Sequence, residues 1–441
     1  MTTCRPPGVL FWFRNDLRLH DQTALLTAVA HARRIGGWLL PVFIHDPAQH
    51  AVTRWGFART GAHRRRWLAA TLDDLATQLA ALGSRLAHCT GDPATVLRRL
   101  VADLGAPLLV CEDIAAPEER GIVTALRHAG VATECVWQST LLAPDSLPFD
   151  PCAVPDTFSV FRQAVERAGV QAPPPHPPPN ALPPLPPANL LARLADQPAP
   201  AAPSPASDPR SAFPYAEAAF HGGERAALAH LADYCRRRLP HRYKATRNGL
   251  SGTDYSSKWS PWLATGALSP RRAWAAIQAF EAEHGANEGT YWLWFELLWR
   301  DHFRWLHHKH GTWLYHAGGL TAHPAPRHDP APFERWRQGR TGHPFIDAGM
   351  RELAATGYLS NRLRQNVASY LVHDLNGDWR AGAAWFEAQL IDYDVYSNQG
   401  NWLYLSGRGT DPRGGRRFNP DKQAHDYDPD GRYRECWRQA G

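Results

Sequence analysis

Four short stretches carry residue types that could do chemistry together. In YWLWFELLWRDHFRW, residues 291–305, helical spacing puts Trp292, Glu296, Trp299, Arg300 and Phe303 on one face. A carboxylate among large rings is costly unless something polar meets it, so this face points to a polar ligand. A buried helix with one i, i+4 ion pair is the plainer reading. In GTDYSSKWSPWLATGALSP, Ser256, Ser257, Lys258 and Ser260 lead into Pro261, which opens a short helix. Hydroxyls, a cation and free backbone N–H groups at a helix start suit a diphosphate, although a serine-rich cap without a ligand is commoner. GYLSNRLRQNVASYL sets Asn361 and Arg364 near Gln365, and LIDYDVYSNQGNWLYLSGRGTDPR carries Asp392, Asp394, Asn398, Trp402 and Tyr404. Paired aspartates could bind a metal, but His373 is the only histidine nearby and no carboxylate-rich loop completes a shell, so no metal is expected. An ion pair from Arg364 to one aspartate is the simpler expectation.

These residues need a scaffold, and its two parts read differently. Residues 9–136 alternate short apolar runs with helical stretches. The runs are 9–13, 38–44, 85–88, 108–111 and 131–136; the helical stretches include 63–82, 94–104 and 118–129. That alternation predicts a parallel, Rossmann-like sheet of five strands with helices on both faces. A dinucleotide fold would place G-x-G-x-x-G after the first strand; Arg14-Asn15-Asp16 stands there instead. The expected domains are an α/β domain at 1–137, a linker at 138–212 and a helical domain at 213–441. Within the linker, 171–210 is rich in Pro and Ala and reads as a stiff, exposed connector. Helices are expected at 222–238, from Ser269-Pro270 to Gly285, and at 291–308, 359–375 and 380–390.

Composition narrows the class. The chain has 441 residues, 44% apolar and 20% charged, enough for at least two domains without disulfides. No run is long enough to span a bilayer, and residues 1–8 show no secretion signal. Seven cysteines lie scattered with no C-x-x-C pair, which fits a reducing cytoplasm. A net charge of +6 is compatible with nucleic acid, though nearly all of it is arginine, as codon bias would also give. Eighteen tryptophans, crowded into the second half, are more informative.

The stretches RNGLSGTDYSSKWSPWLATGALSP, NEGTYWLWFELLWRDHFRW, GHPFIDAGMRELAATGYLSNRLRQNVASYL and LIDYDVYSNQGNWLY together closely resemble the cryptochrome/photolyase family, and within it the DASH cryptochromes. The resemblance runs from Val9 to the C-terminus, skipping the Pro-rich insert. It implies the photolyase fold, with FAD bent into a U inside the all-α domain. Tyr243, Ser256, Ser257, Lys258 and Ser260 would hold the ribityl-diphosphate part. Trp292, Arg300, Asn361, Arg364, Asp392, Asp394 and Asn398 would line the cofactor cavity, with the Asn398 amide facing flavin N5. The family mechanism passes one electron from light-excited reduced flavin to a cyclobutane pyrimidine dimer, whose ring splits before the electron returns. Glu296 would hydrogen-bond the dimer, Trp299 and Tyr404 would pack on its flipped bases, and Asn361 and Gln365 would floor the pocket.

The resemblance also discriminates within the family. Six-four photolyases carry His where Asn361 stands, and duplex photolyases carry Trp and Met where this chain has Tyr404 and Gln365. DASH members carry Tyr and Gln, which implies repair mainly in ultraviolet-damaged single-stranded DNA by a monomer. Plant and animal signalling cryptochromes usually carry a long tail; the sequence stops at Gly441, which points away from tail-driven signalling. A blue-light photoreceptor or regulatory DNA-binding flavoprotein with little repair activity is the alternative. Trp402 and Trp379 match the inner two of the family's three electron-relaying tryptophans, but Pro326 takes the outer place. Photoreduction is expected to weaken or to leave through another surface aromatic such as Trp336, Trp313 or a tyrosine. The candidate antenna is 5,10-methenyltetrahydrofolate, with Glu112 in CEDIAAPEER as its contact.

Overall fold

The computed structural model describes residues 7–194 and 199–438. Five parallel strands, β1 (Gly8–Phe13), β2 (Trp38–His45), β3 (Ala87–Thr90), β4 (Leu108–Glu112) and β5 (Thr133–Val136), form one sheet in the order β3-β2-β1-β4-β5. Side chains alternate across β1: Leu10 and Trp12 enter the core on one face, Val9, Phe11 and Phe13 the other. Helices α1 (Thr23–Arg34), α2 (Ala62–Ala81), α3 (Pro93–Leu104) and α4 (Pro117–His128) cover the two faces. The third strand lies two residues later than its apolarity suggests, because pairing runs from Val42↔Ala87 to His45↔Thr90. Tertiary register overrides local composition there.

Helix α5 (Phe158–Arg167) and the one-turn α6 (Ala188–Leu191) lie in the linker. The Pro-rich segment is not a mere exposed spacer. The N–H of Asp21 donates to His176 O, that of Leu39 to Pro184 O, and the Arg33 guanidinium to Ala181 O. Leu190 is buried against the sheet domain. Proline carbonyls remain acceptors, so a chain that cannot donate can still be strapped down by its neighbours' N–H groups.

The second half is helical: α7 (Glu224–Arg236), α8 (Tyr243–Thr246), α9 (Ser260–Thr265), α10 (Pro270–His284), α11 (Glu288–His310), α12 (Pro330–Arg337), α13 (Pro344–Thr356), α14 (Asn361–Ser369), α15 (Trp379–Gln389), α16 (Val395–Leu405), α17 (Pro420–Tyr427) and α18 (Arg432–Cys436). The starts follow from capping. Ser269 accepts from the N–H groups of Arg271 and Arg272 ahead of α10, and Asn287 and Thr290 form a capping box ahead of α11. After α14 the chain widens into a π-turn over Tyr370–Asp374.

The loop after β1, where a dinucleotide fold would hold phosphate, fastens the two halves together. Leu17 N–H donates to Thr265 O, and Arg18 Nη1 donates to Gly266 O at 3.0 Å. Gly266 is left-handed (φ +71°), and a Cβ there would lie 2.0 Å from Asn15 O, so glycine is required. Buried Glu224 accepts from the N–H groups of Leu19 and His20, and Asp301 of α11 accepts from those of Leu141 and Leu142.

Candidate functional site

A cavity of about 260 Å³ opens between α8, α9, α11, the start of α14 and the loop before α16. At one end it is lined by Tyr243, Ser256, Ser257, Lys258 and Ser260. Ser256 and Lys258 are both left-handed, at φ 61° and 60°. Such turns aim backbone N–H groups into a concavity that suits an anion. The Lys258 ammonium is 1% exposed and has no hydrogen-bond partner; it lies 3.2 Å from the Tyr255 ring centroid. Burial pushes its pKa well below the usual lysine range, with Glu352 pulling the other way. The Tyr255 hydroxyl, the Trp259 indole N–H and Asp392 Oδ1 are also buried and unpartnered, all on lining residues. This wall therefore offers donors and a cation at one end and an acceptor at the other.

Asp392 and Asp394 are fixed by arginines. Arg364 Nη2 donates to Asp392 Oδ2 at 2.8 Å, as the simpler expectation had it, while Arg304, singled out by nothing in the sequence, holds Asp394 at 2.6 Å. Asp394 also caps α16 by accepting from Ser397 N–H. Burial alone would raise its pKa, but Arg304 and Arg300 hold it below the ordinary carboxylate range. Arg300 lines the cavity and donates to the carbonyls of Ser139 and Leu263. An adjoining space of about 90 Å³, lined by Asn361, Arg364, Asp392, Asp394, Asn398 and Trp402, continues toward the aromatic core. The Asn398 amide donates to Ala383 O at 3.1 Å.

Outward, a mouth of about 320 Å³ collects Glu296, Trp299, Asn361, Gln365 and Tyr404. Trp299 is stacked on Phe158 of the linker, centroids 3.8 Å apart, and stands edge-on to Tyr404 at 5.7 Å. Glu296 is paired with Arg247, and Tyr404 is bonded to Arg416. A third of the Glu296 side chain faces the open cleft, yet its crowded surroundings raise its pKa, with Arg247 lowering it in part. Arg247 and Arg416 were missed from the sequence; only an aromatic cleft needing cations at its rim could have pointed to them.

Two expected positions need correction. Trp292 does not line the cavity: its ring lies under the Arg247 guanidinium, 4.2 Å from the centroid, so it supports the partner of Glu296. Glu112 faces neither cavity nor solvent. It is 2% exposed, among Arg14, Asp16, Arg18 and Arg304, and burial followed by the charge of Asp16 raises its pKa to about 8. Strand β4 ends at this residue, and the strand's burial carries it inside.

Residues 9–180 match the family model described as DNA photolyase, and residues 292–439 match that described as the FAD binding domain of DNA photolyase. Cryptochrome DASH of Synechocystis sp. is 44% identical over 439 residues, covering 98% of this chain and 87% of that protein. Cryptochrome DASH of Xenopus laevis is 43% identical over 444 residues, covering 98% and 83%. The chain belongs to the cryptochrome/photolyase family, in its DASH group. The crystal structure of the Synechocystis cryptochrome superposes with a TM-score of 0.92 at 43% identity, covering 99% of this chain and 89% of that one. A class III photolyase from Agrobacterium tumefaciens follows at 0.77 and 28%, covering 99% and 87%.

The helical half of this DASH protein is thus an FAD-binding domain, and the buried donors around Lys258 fit such a group. A further cavity of about 460 Å³ lies where the two halves meet, lined among others by Trp55, Arg59, Glu118, Glu119 and Trp379. Two of its carboxylates, Glu118 and Glu119, come from the start of α4, a few residues beyond Glu112, and a third, Glu387, from α15. Trp336, expected among the surface aromatics, is wholly buried, edge-on to Trp402 at 6.5 Å; Trp313 is 62% exposed. Among the described residues, no helix is long and apolar enough to cross a membrane, and no cluster of ligating side chains could hold a metal.

Proposed function

We propose that this protein splits cyclobutane pyrimidine dimers with blue light, preferring single-stranded DNA, and works as a cytoplasmic monomer. The observation that carries the reading is the mouth. Glu296, Trp299, Asn361, Gln365 and Tyr404 come from three helices and line one opening, and Asn361 also lines both inner spaces. Bound FAD, reduced and excited, would supply the electron. The chain's own residues do the rest. Trp299 and Tyr404 offer faces at right angles for two unstacked bases. Glu296, with its raised pKa, offers a hydrogen bond to the pyrimidine edges. Tyr243, Ser256, Ser257, Lys258 and Ser260 would hold the diphosphate; Arg364, Asp392, Asp394 and Asn398 would orient the ring system. A folded-back lesion in a single strand enters without the cost of unpairing a duplex.

A pterin antenna would fit the cavity between the halves, where Glu118 and Glu119 can accept from its ring N–H groups. The test of the main reading is repair by the fully reduced protein under blue light. Matched thymine-dimer oligonucleotides, single-stranded and duplex, serve as substrates, with Glu296→Ala as control. We expect single-strand repair, lowered on the order of tenfold or more in the variant. No repair of either substrate, with reduced FAD bound, would replace this reading by that of a photoreceptor.

A further inference from the structure

We propose that Cys135 and Cys111 form a peroxide-reactive thiol pair, a modification site outside the flavin domain. The two cysteines face each other directly in the register of the neighbouring strands β4 and β5, and their sulfurs are 3.8 Å apart. Adjacent strands lie about 4.8 Å apart, inside the range of Cα separations that a disulfide spans. The pair is asymmetric. Cys111 is 0% exposed in the sheet core, whereas Cys135 is half-buried on the edge strand. The Arg127 guanidinium, anchored on Thr133 O at 3.1 Å, reaches 3.6 Å from Cys135 Sγ. A cation and a neighbouring thiol donor favour the thiolate, which is the nucleophile. The pKa values run the same way: the contact with Cys111 lowers that of Cys135, and the shared hydrogen bond and burial raise that of Cys111.

The oxidant is hydrogen peroxide. The Cys135 thiolate attacks one oxygen, the O–O bond breaks, and hydroxide leaves and is protonated, giving a sulfenic acid. The Cys111 thiol then gives up its proton, attacks the Cys135 sulfur and expels water. Two thiols and one peroxide become one disulfide and two waters. The bond ties the edge strand β5 to its neighbour β4. The other described cysteines lack this geometry. Cys89 and Cys235 have pKa values raised mainly by burial, and Cys152 and Cys436 are exposed without a second thiol.

The experiment treats the FAD-loaded full-length protein in the dark with hydrogen peroxide. Remaining thiols are alkylated, and the protein is digested without reductant for mass spectrometry. We expect a linked peptide pair joining Cys111 and Cys135, released by dithiothreitol and formed about tenfold faster than any oxidation of Cys235. In Cys111→Ser the sulfenic acid should persist and be trapped by dimedone at Cys135; in Cys135→Ser, Cys111 should stay reduced. Oxidation confined to Cys152, Cys235 or Cys436, or over-oxidation of Cys135 with no linked pair, would overturn the assignment.

Discussion

A buried cation without a hydrogen-bond partner is expensive, and Lys258 is one. An anion bound there would recover that cost, in which case the residue would trade stability of the empty protein for affinity. Lys258→Met keeps most of the volume and removes the charge. The variant should bind FAD roughly ten- to a hundredfold more weakly in equilibrium titration, since a hydrogen bond to a charged group contributes about 1.5–3 kcal/mol. The same variant, stripped of FAD, should melt higher than the parent by differential scanning calorimetry. Loss of both affinity and stability would mean that Lys258 is merely structural. The side chain was legible in the sequence as a candidate phosphate ligand. Its unpartnered burial was not, because that depends on Tyr358, a hundred residues on, closing over it together with the neighbouring Tyr255.

The helices differ in how plainly the sequence announces them. Helix α11 was visible from its aromatic face, and α10 from Ser269, Pro270 and Gly285. Helix α16 was not, although Asp394, Asn398, Trp402 and Tyr404 were all singled out. Its middle reads Asn-Gln-Gly-Asn, in which the asparagines and the glycine are poor helix formers, and Gly400 is there for packing: a Cβ would fall 2.1 Å from the Phe303 ring. Helix α15 holds a parallel case, since Gly382 gives way to the Trp402 ring. Trp379 lines the cavity where the halves meet, beside Trp55, and Pro326, in the outer place that the family resemblance assigns to a tryptophan, cannot carry an oxidising equivalent. Trp379→Phe should abolish the long-lived tryptophan radical in flash absorption, whereas Trp336→Phe should leave it largely intact. A radical lost in Trp336→Phe and kept in Trp379→Phe would place the exit through the buried Phe333–Trp336 stack instead.

The whole molecule is joined through buried charge as well as backbone hydrogen bonds. Glu112 sits at that junction with a pKa raised to about 8 from 4.5. A group raised on folding stabilises fully below its unfolded pKa, and that stability is lost as pH rises through the folded pKa. Between about pH 5 and 8 the protein should therefore lose up to about 1.4 kcal/mol per pH unit from this residue; the pKa of buried Asp16 is raised as well, mainly by desolvation. Thermal melts across that window should slope downward with pH. Glu112→Gln should flatten the slope and raise the melting temperature at pH 8; an unchanged slope would show the carboxylate to be charged throughout. The two-part architecture was legible because strand and helix periods differ, whereas this junction was hidden. Arg18, Glu224 and Asp301 look like surface charges until the fold brings their distant partners to them.

The strap that runs back along the sheet changes what a cut in the chain would do. Because residues 176–190 are bonded to the α/β half, and the halves meet through Thr265, Gly266, Glu224 and Asp301, covalent continuity past the strap is not what keeps them together. Residues 1–200 and 201–441, expressed as two polypeptides, should assemble spontaneously into a flavin-containing heterodimer that co-purifies through a tag on either piece. Failure of the pieces to co-purify would mean that the chain joining them supplies the proximity that the junction lacks. Pieces that do assemble would form a light-sensitive complementation pair, their reconstitution readable from the yellow colour of the bound flavin.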